Sequence, residues 1–202
     1  MTRVIAGEAG GRRLAVPPGM STRPTSDRAR EGLFGSVLSE LGSLAGRRAL
    51  DLYAGSGAIG LEALSRGASH ALMVESDPRA VAVIRANMAM VGIAGAQLRG
   101  AKVERLLAGP PEQGPYDFVF ADPPYALAGA AVTRVLALLA RGWLAPDALV
   151  VVERATRSGP VDWPAEFAVG KSRKYGEATF WYGHGAAVGT IGNGADDGPG
   201  SQ

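Results

Sequence analysis

From Arg48 to Glu153 the chain alternates short β-prone runs with stretches whose apolar residues recur at helical spacing, and this alternation restricts the fold more than any other feature. Arg48–Tyr53, His70–Val74, Gln97–Arg99, Tyr116–Ala121 and Ala148–Glu153 read as strands, with helical patterns between them over Ala58–Arg66, Pro78–Val91, Val103–Ala108 and Gly129–Arg141. Pro78 suits a first helical turn, where a missing N–H costs nothing, and Val81, Ile84, Met88 and Val91 then point inward. Strands separated by helices pair in parallel through right-handed crossovers, which covers both faces of the sheet. The expectation is an α/β domain, and 202 residues suffice for one such domain with a proper core.

The flanks read differently. Val4-Ile5-Ala6 and Arg13–Val16, separated by Gly7, Gly10 and Gly11, predict a small β-hairpin extension over residues 1–20, closed by Pro17, Pro18 and Gly19. Ser26 or Asp27 then caps a helix that buries Leu33, Phe34, Val37, Leu38 and Leu41 and ends near Gly42, with Arg28 and Arg30 on its other faces. At the far end Phe167–Val169 and Ala178–Tyr182 flank Lys171–Gly176 with no helix between them, which predicts an antiparallel hairpin closing a main domain over residues 21–183. Residues 184–202 are Gly-rich and nearly free of large apolar groups, so they are expected to form a disordered tail.

Composition removes several chemistries. The absence of cysteine eliminates disulfides, thiolate catalysis and cysteine-ligated zinc, and His70 and His184 are the only histidines, so no metal site is expected. No apolar run is long enough to span a membrane and the first residues lack a signal-peptide core, which points to a cytoplasmic protein. Net charge is only +2, yet Arg3, Arg12, Arg13, Arg23, Arg28 and Arg30 crowd the first stretch, and Lys171, Arg173 and Lys174 form a second cluster. Either cluster could be a solvated surface or the footprint of a phosphate backbone.

Two stretches carry chemistry. Asp51–Gly60 follows a strand and opens a helix, with Gly55, Gly57 and Gly60 in a G-x-G-x-x-G match, and about 20 residues on Glu75 ends the next strand, where a carboxylate can accept from both hydroxyls of a ribose. A dinucleotide dehydrogenase would show the same two features, and a bare tight turn would show the glycines. No Gly-Lys-Ser or Gly-Lys-Thr follows, which excludes a P-loop. Asp51 sits just before the turn, where it would repel a pyrophosphate but welcome the sulfonium and ammonium of S-adenosylmethionine.

The second stretch is Asp122-Pro123-Pro124-Tyr125, at the end of a buried apolar strand. Two prolines fix φ and supply no N–H, so the chain there cannot continue a ladder and holds its carbonyls in a rigid corner. The Asp122 carboxylate and the Pro123 carbonyl can accept from one NH2 group while the Tyr125 ring stacks on a flat base lifted out of its helix. Taken alone, Asp122 could be a helix cap and Tyr125 a core aromatic. Around two prolines and beside a cofactor turn, they read as a site for amino-group chemistry.

In that order on an alternating chain, Asp51–Gly60, Glu75 and Asp122–Tyr125 resemble the class I S-adenosylmethionine-dependent methyltransferases that modify exocyclic amines. Arg23–Phe34, Leu61–Ala68 and Lys174–Ala178 are similar to the RsmD family, bacterial 16S ribosomal RNA guanine-N2 methyltransferases, and the likeness runs from about residue 3 to 182. It implies a Rossmann-like fold and a methyl donor held by Asp51, Tyr53, Ala54, Gly55, Ser56, Gly57, Gly60, Glu75, Ser76, Ala101 and Asp122. It implies catalysis at Asp122, Pro123, Pro124 and Tyr125, and a monomer acting on 16S rRNA in an assembling small subunit. The RNA would then meet Arg3, Arg12, Arg13, Arg23, Arg28, Arg30, Lys171, Arg173 and Lys174. One position departs from the usual pattern: where many such enzymes carry an Asp or Asn for the adenine amine, this chain reads Arg99-Gly100-Ala101-Lys102, so a backbone contact is expected there. A DNA adenine or protein-amide methyltransferase, a NAD-dependent oxidoreductase and a non-catalytic RNA-binding protein are the alternatives. The lack of an added groove-reading domain favours structured RNA.

Overall fold

A computed structural model describes residues 2–18 and 26–185. Its centre is a seven-stranded sheet of β3 (Arg48–Leu52), β4 (His70–Glu75), β5 (Ala96–Gly100), β6 (Tyr116–Ala121), β7 (Leu144–Ala155), β8 (Phe167–Tyr175) and β9 (Ala178–Gly185), in the order β5-β4-β3-β6-β7-β9-β8. The first five are parallel and β9 inserts antiparallel between β7 and β8. Helices α2 (Ala58–Ser65), α3 (Pro78–Val91), α4 (Val103–Leu107) and α5 (Gly129–Leu139) are the crossovers, and α1 (Asp27–Leu41) precedes the sheet. Among the described residues, no helix is long and apolar enough to cross a membrane.

Strand alternation divides the core between two faces. Phe118, Phe120, Leu149 and Val151 face α1 and α2 through Leu33, Phe34, Val37, Ile59 and Ala63. Val119, Ala121, Val150 and Val152 face α4 and α5 through Val103, Val132, Val135 and Leu136. The chain winds outward from β3 to β4 and β5 on one side and from β6 to β7 on the other. The order therefore reverses between β3 and β6, and their carboxyl ends open a crevice where open α/β sheets bind ligands.

The N-terminal hairpin is shorter than expected, β1 (Thr2–Arg3) pairing with β2 (Arg13–Leu14). It is docked firmly by polar groups that the sequence patterns do not reveal. Glu62 of α2 is fully buried and accepts from the N–H groups of Ile5 (2.6 Å) and Ala6 (3.1 Å) and from Arg66 Nε (2.7 Å). Ser65 accepts from the Ala9 N–H at 2.9 Å and donates to the Ala6 carbonyl at 2.5 Å. Asn87 of α3, also buried, accepts from Ala15 N–H and donates to the carbonyls of Ala15 and Ser56, so one amide ties the N-terminal segment to the glycine turn. Helical periodicity placed Val81 and Met88 inward, but they are only half-buried, and Ala80 and Asn87 take the inner face with Ile84 and Val91.

At the other end, Lys171–Tyr175 belong to β8 rather than to a loop, and the hairpin turns at Gly176-Glu177, with Gly176 at φ 61°. His184 and Gly185 complete β9, so the last strand reaches into the segment expected as tail; residues 186–202 lie outside the described residues. Truncating Glu62 to Ala would leave two backbone N–H groups and a partly buried guanidinium without their acceptor. We expect Glu62→Ala to cost on the order of 3 kcal/mol in urea unfolding and to open the first 18 residues to proteolysis; an unchanged midpoint would refute this account of the docking.

Candidate active site

Three acidic side chains line up on one face of the sheet at its carboxyl edge. Asp51 of β3 is in register with Phe120 of β6, so by alternation Asp122, two residues past Phe120, projects from the same face. Ala121 is in register with Val152, which puts Asp122 beside Glu153 of β7. Asp51 and Glu153 are buried and Asp122 is half-buried.

Each carboxylate near the crevice has a local task. Helix α2 starts at Gly57 with no side-chain cap of its own, and Asp51 reaches from the strand below to accept the Gly60 N–H at 2.9 Å. Glu75 bridges two loops: Oε2 accepts the Gly55 N–H at 2.9 Å, and Oε1 accepts those of Ser76 (2.6 Å) and Asp77 (2.9 Å). Three of about four acceptor positions are thus engaged by backbone, leaving about one for a ligand hydroxyl, fewer than the ribose reading assumed.

The glycines also divide by role. A Cβ on Gly60 would lie 2.7 Å from Met73 Cγ, and one on Gly57, which has φ +75°, would lie 2.9 Å from Met73 Sδ. Both are therefore required by the seating of α2 on β4. Gly55, at φ 58°, stands where the turn faces the crevice. Tyr53 shares that left-handed conformation at φ 60° without the excuse of being glycine, a strain of the kind found where a loop is shaped for a ligand. Its hydroxyl donates to Glu104 at 3.3 Å, and burial with that neighbouring acid pushes its pKa up. Ala101, expected as a backbone contact, already donates its N–H to the Glu75 carbonyl at 2.9 Å.

At the proline corner the Pro124 carbonyl accepts the Leu127 N–H at 2.8 Å, and buried Arg154 donates to the Leu127 carbonyl at 2.9 Å, which fixes the loop behind Asp122. Pro123 is buried, whereas Pro124 is exposed and Tyr125 is 43% exposed, an aromatic ring kept at the surface rather than in the core. Burial, then Glu153 and Asp51, push the Asp122 pKa well up against the opposing pull of Arg154. Burial and Glu75 raise Asp51 to about 8, opposed by the Gly60 hydrogen bond. Arg157 and Glu177 lie near enough to influence Tyr125 and mark the rim on the β9 side. Periodicity had no means of flagging Glu153, Arg154 or Arg157, since each lies at or past the end of the strand expected over Ala148–Glu153, whereas β7 runs on to Ala155.

The basic residues separate into two groups. Arg30, expected on the substrate side, is 1% exposed and donates to the Arg3 carbonyl and to Asp27, both at 2.7 Å; it braces α1 and offers nothing to a polyanion. Arg3 pairs with Asp27, and Arg12 donates to the Val91 carbonyl. Arg13, Arg28, Arg173 and Lys174 are exposed, and Lys171 pairs with Glu40 over the Tyr182 ring. Arg23 lies outside the described residues.

Asp51, Asp122 and Glu153 gather on one face while Arg154, the next residue along β7, projects from the other, so the acids are short of positive charge and a ligand bearing a sulfonium and an ammonium supplies it. The donor set therefore fits S-adenosylmethionine. It fits a pyrophosphate poorly.

The family model described as "Conserved hypothetical protein 95" matches residues 2–184. The Escherichia coli K12 ribosomal RNA small subunit methyltransferase D is 34% identical over 179 residues, 88% of this chain and 87% of that one. Its Haemophilus influenzae namesake is 31% identical over 180 residues, covering 88% and 91%. Among solved structures, the Escherichia coli protein yhhF, described as a candidate methyltransferase, superposes with a TM-score of 0.78 at 33% identity, covering 92% of this chain and 98% of that one.

A titration follows from the raised acid. A carboxyl with a folded-state pKa near 8 keeps its proton in the fold where the unfolded chain, with a value near 3.8, has released it. The unfolded state then binds fewer protons, so stability falls as pH rises between those values, by at most about 1.4 kcal/mol per pH unit for one group. Thermal unfolding of the ligand-free protein should thus drop from pH 5 to pH 8, and Asp51→Asn, which retains an acceptor for Gly60, should flatten the slope. An identical slope in the variant would exclude Asp51 as its source.

Proposed function

This chain belongs to the RsmD family matched across residues 2–184, and we propose that it transfers a methyl group from S-adenosylmethionine to the exocyclic N2 of a guanine in 16S ribosomal RNA. Its sheet is that of class I methyltransferases. The observation that carries the reading is the placement of Asp122-Pro123-Pro124-Tyr125 at the topological switch point, beside the Asp51 and Glu75 turn.

Asp51, Tyr53, Ala54, Gly55, Ser56, Gly57, Gly60, Glu75, Ser76, Ala101 and Asp122 form the cofactor side of the crevice. The bound cofactor supplies an electrophilic methyl on a cationic sulfur. Burial raises the pKa of Asp51 and Asp122, and beside that cation their charged forms are favoured and then hold it. The amine of a base is a weak nucleophile because its lone pair is delocalised into the ring. By accepting its two N–H groups, Asp122 and the Pro123 carbonyl favour a pyramidal nitrogen with the lone pair aimed across the crevice. Tyr125, exposed and fixed behind the prolines, stacks on the base and holds its plane, an interaction worth about 1–3 kcal/mol. Once the nitrogen is methylated it becomes acidic and needs no strong base, and Asp122 is in place to take the proton.

The exposed cations Arg13, Arg28, Arg173 and Lys174 meet the RNA backbone, Lys171 can join by exchanging Glu40 for phosphate, and the substrate is the assembling small subunit in the cytoplasm, bound by a monomer. An oxidoreductase reading leaves the proline corner without a purpose. A DNA reading lacks a groove-reading element.

Two measurements test this. Nucleoside digests of 16S RNA from deletion and complemented cells should differ by one N2-methylguanosine, and identical digests would refute the assignment. Asp122→Ala should lower kcat by at least about 1,000-fold while S-adenosylmethionine binding stays within about threefold; retained turnover would remove Asp122 from the mechanism.

A further inference from the structure

Glu153 is a buried acid of β7 that stands beside the proline corner and outside the cofactor turn. It is 4% exposed, on β7, and one residue beyond the Ala121–Val152 register pair, so it stands next to Asp122 on the adjoining strand and on the same face. Among neighbouring charges it dominates the electrostatics of both Asp122 and Tyr125. It also lies on the side of Asp122 away from Asp51, since β7 and β3 flank β6 on opposite sides. Asp51 and the glycine turn are on the cofactor side, which leaves Glu153 on the side toward the Tyr125 rim, where the base would lie.

We infer that Glu153 reads the ring edge of the target base by accepting the N1–H of guanine while Asp122 holds the adjacent N2 amine. The inference rests on the guanine-N2 reading and deepens it. Guanine presents N1–H and N2–H2 side by side, two donor groups pointing the same way. Neighbouring strands hold their carboxylates about 4.8 Å apart at the backbone, and Glu153 has one methylene more than Asp122 with which to converge. Adenine and 2,6-diaminopurine present a lone pair at N1 instead, which a carboxylate repels and cannot satisfy. A site built to accept a hydrogen bond rejects the analogue that lacks the donor far more strongly than a shape mismatch does. The selectivity for guanine over other aminopurines is therefore assigned to Glu153. Asp122 alone would accept from any exocyclic amine.

The experiment uses the full-length protein and small subunits reconstituted with either guanosine or 2,6-diaminopurine at the methylated position, once that position is mapped. Both bases carry the 2-amino group, and only guanosine carries N1–H. The wild-type protein should favour guanosine by at least about 100-fold in kcat/KM. Glu153→Gln, whose amide can donate to a bare N1, should bring the two substrates within about tenfold of each other, with S-adenosylmethionine binding within about threefold of wild type. Glu153→Asp, which keeps the charge but shortens the reach, should raise KM for the guanosine particle and retain the preference. A wild-type protein that methylates both particles equally overturns the inference whether or not the variants fold, as does a Gln variant that slows both substrates equally. If the wild type forms no N2-methylguanosine on the guanosine particle, the guanine-N2 reading itself has failed, and the two failures are thereby told apart.

Discussion

The geometry of the crevice depends on carboxylates accepting backbone N–H groups that the chain's own turns leave without partners. A glycine-rich strand-to-helix turn is necessary for a ligand to approach, yet it exposes unpaired donors at the start of α2, and Gly57 has no side chain with which to cap them. Asp51 supplies the acceptor for Gly60 from the strand beneath, and Glu75 clasps Gly55 to Ser76 and Asp77, so two loops are held by two acids. A cationic ligand answers these same groups, because its charge favours their ionised forms. Rigidity and ligand preference thus arise from one set of atoms, and removing either acid would disturb both.

The second constraint is polar docking at a distance from the crevice. Glu62, Ser65 and Asn87 are buried, and each satisfies backbone groups of the first 18 residues, while Asn87 also reaches the carbonyl of Ser56 inside the cofactor turn. The N-terminal segment is consequently part of the scaffold that shapes the turn. Arg30 acts similarly within α1, where its guanidinium is spent on Arg3 and Asp27.

Much of the fold could be read along the chain because its signals are local. Pro78 and Asp77 mark the start of α3 and Gly92 its end, and β6 runs over Tyr116–Ala121 as its apolar run predicts. The errors have local causes too. The first strand of the terminal hairpin is expected only over Phe167–Val169, but β8 continues to Tyr175 as an edge strand that leaves Lys171, Arg173 and Lys174 in solvent. Arg30 read as substrate-facing because spacing around a helix says nothing about what the N-terminal segment lays over it.

The sequence by itself determined the reaction type, since Asp122-Pro123-Pro124-Tyr125, the glycine turn and Glu75 are contiguous or regularly spaced and their chemistry is carried by residue identity. Only the tertiary structure decided which acids meet. Asp51, Asp122 and Glu153 lie far apart along the chain, and they converge because β3, β6 and β7 are adjacent and in register. Parallel pairing is non-local, so the register that puts one carboxylate beside another cannot be deduced from any single segment. It is set by the packing of both sheet faces at once.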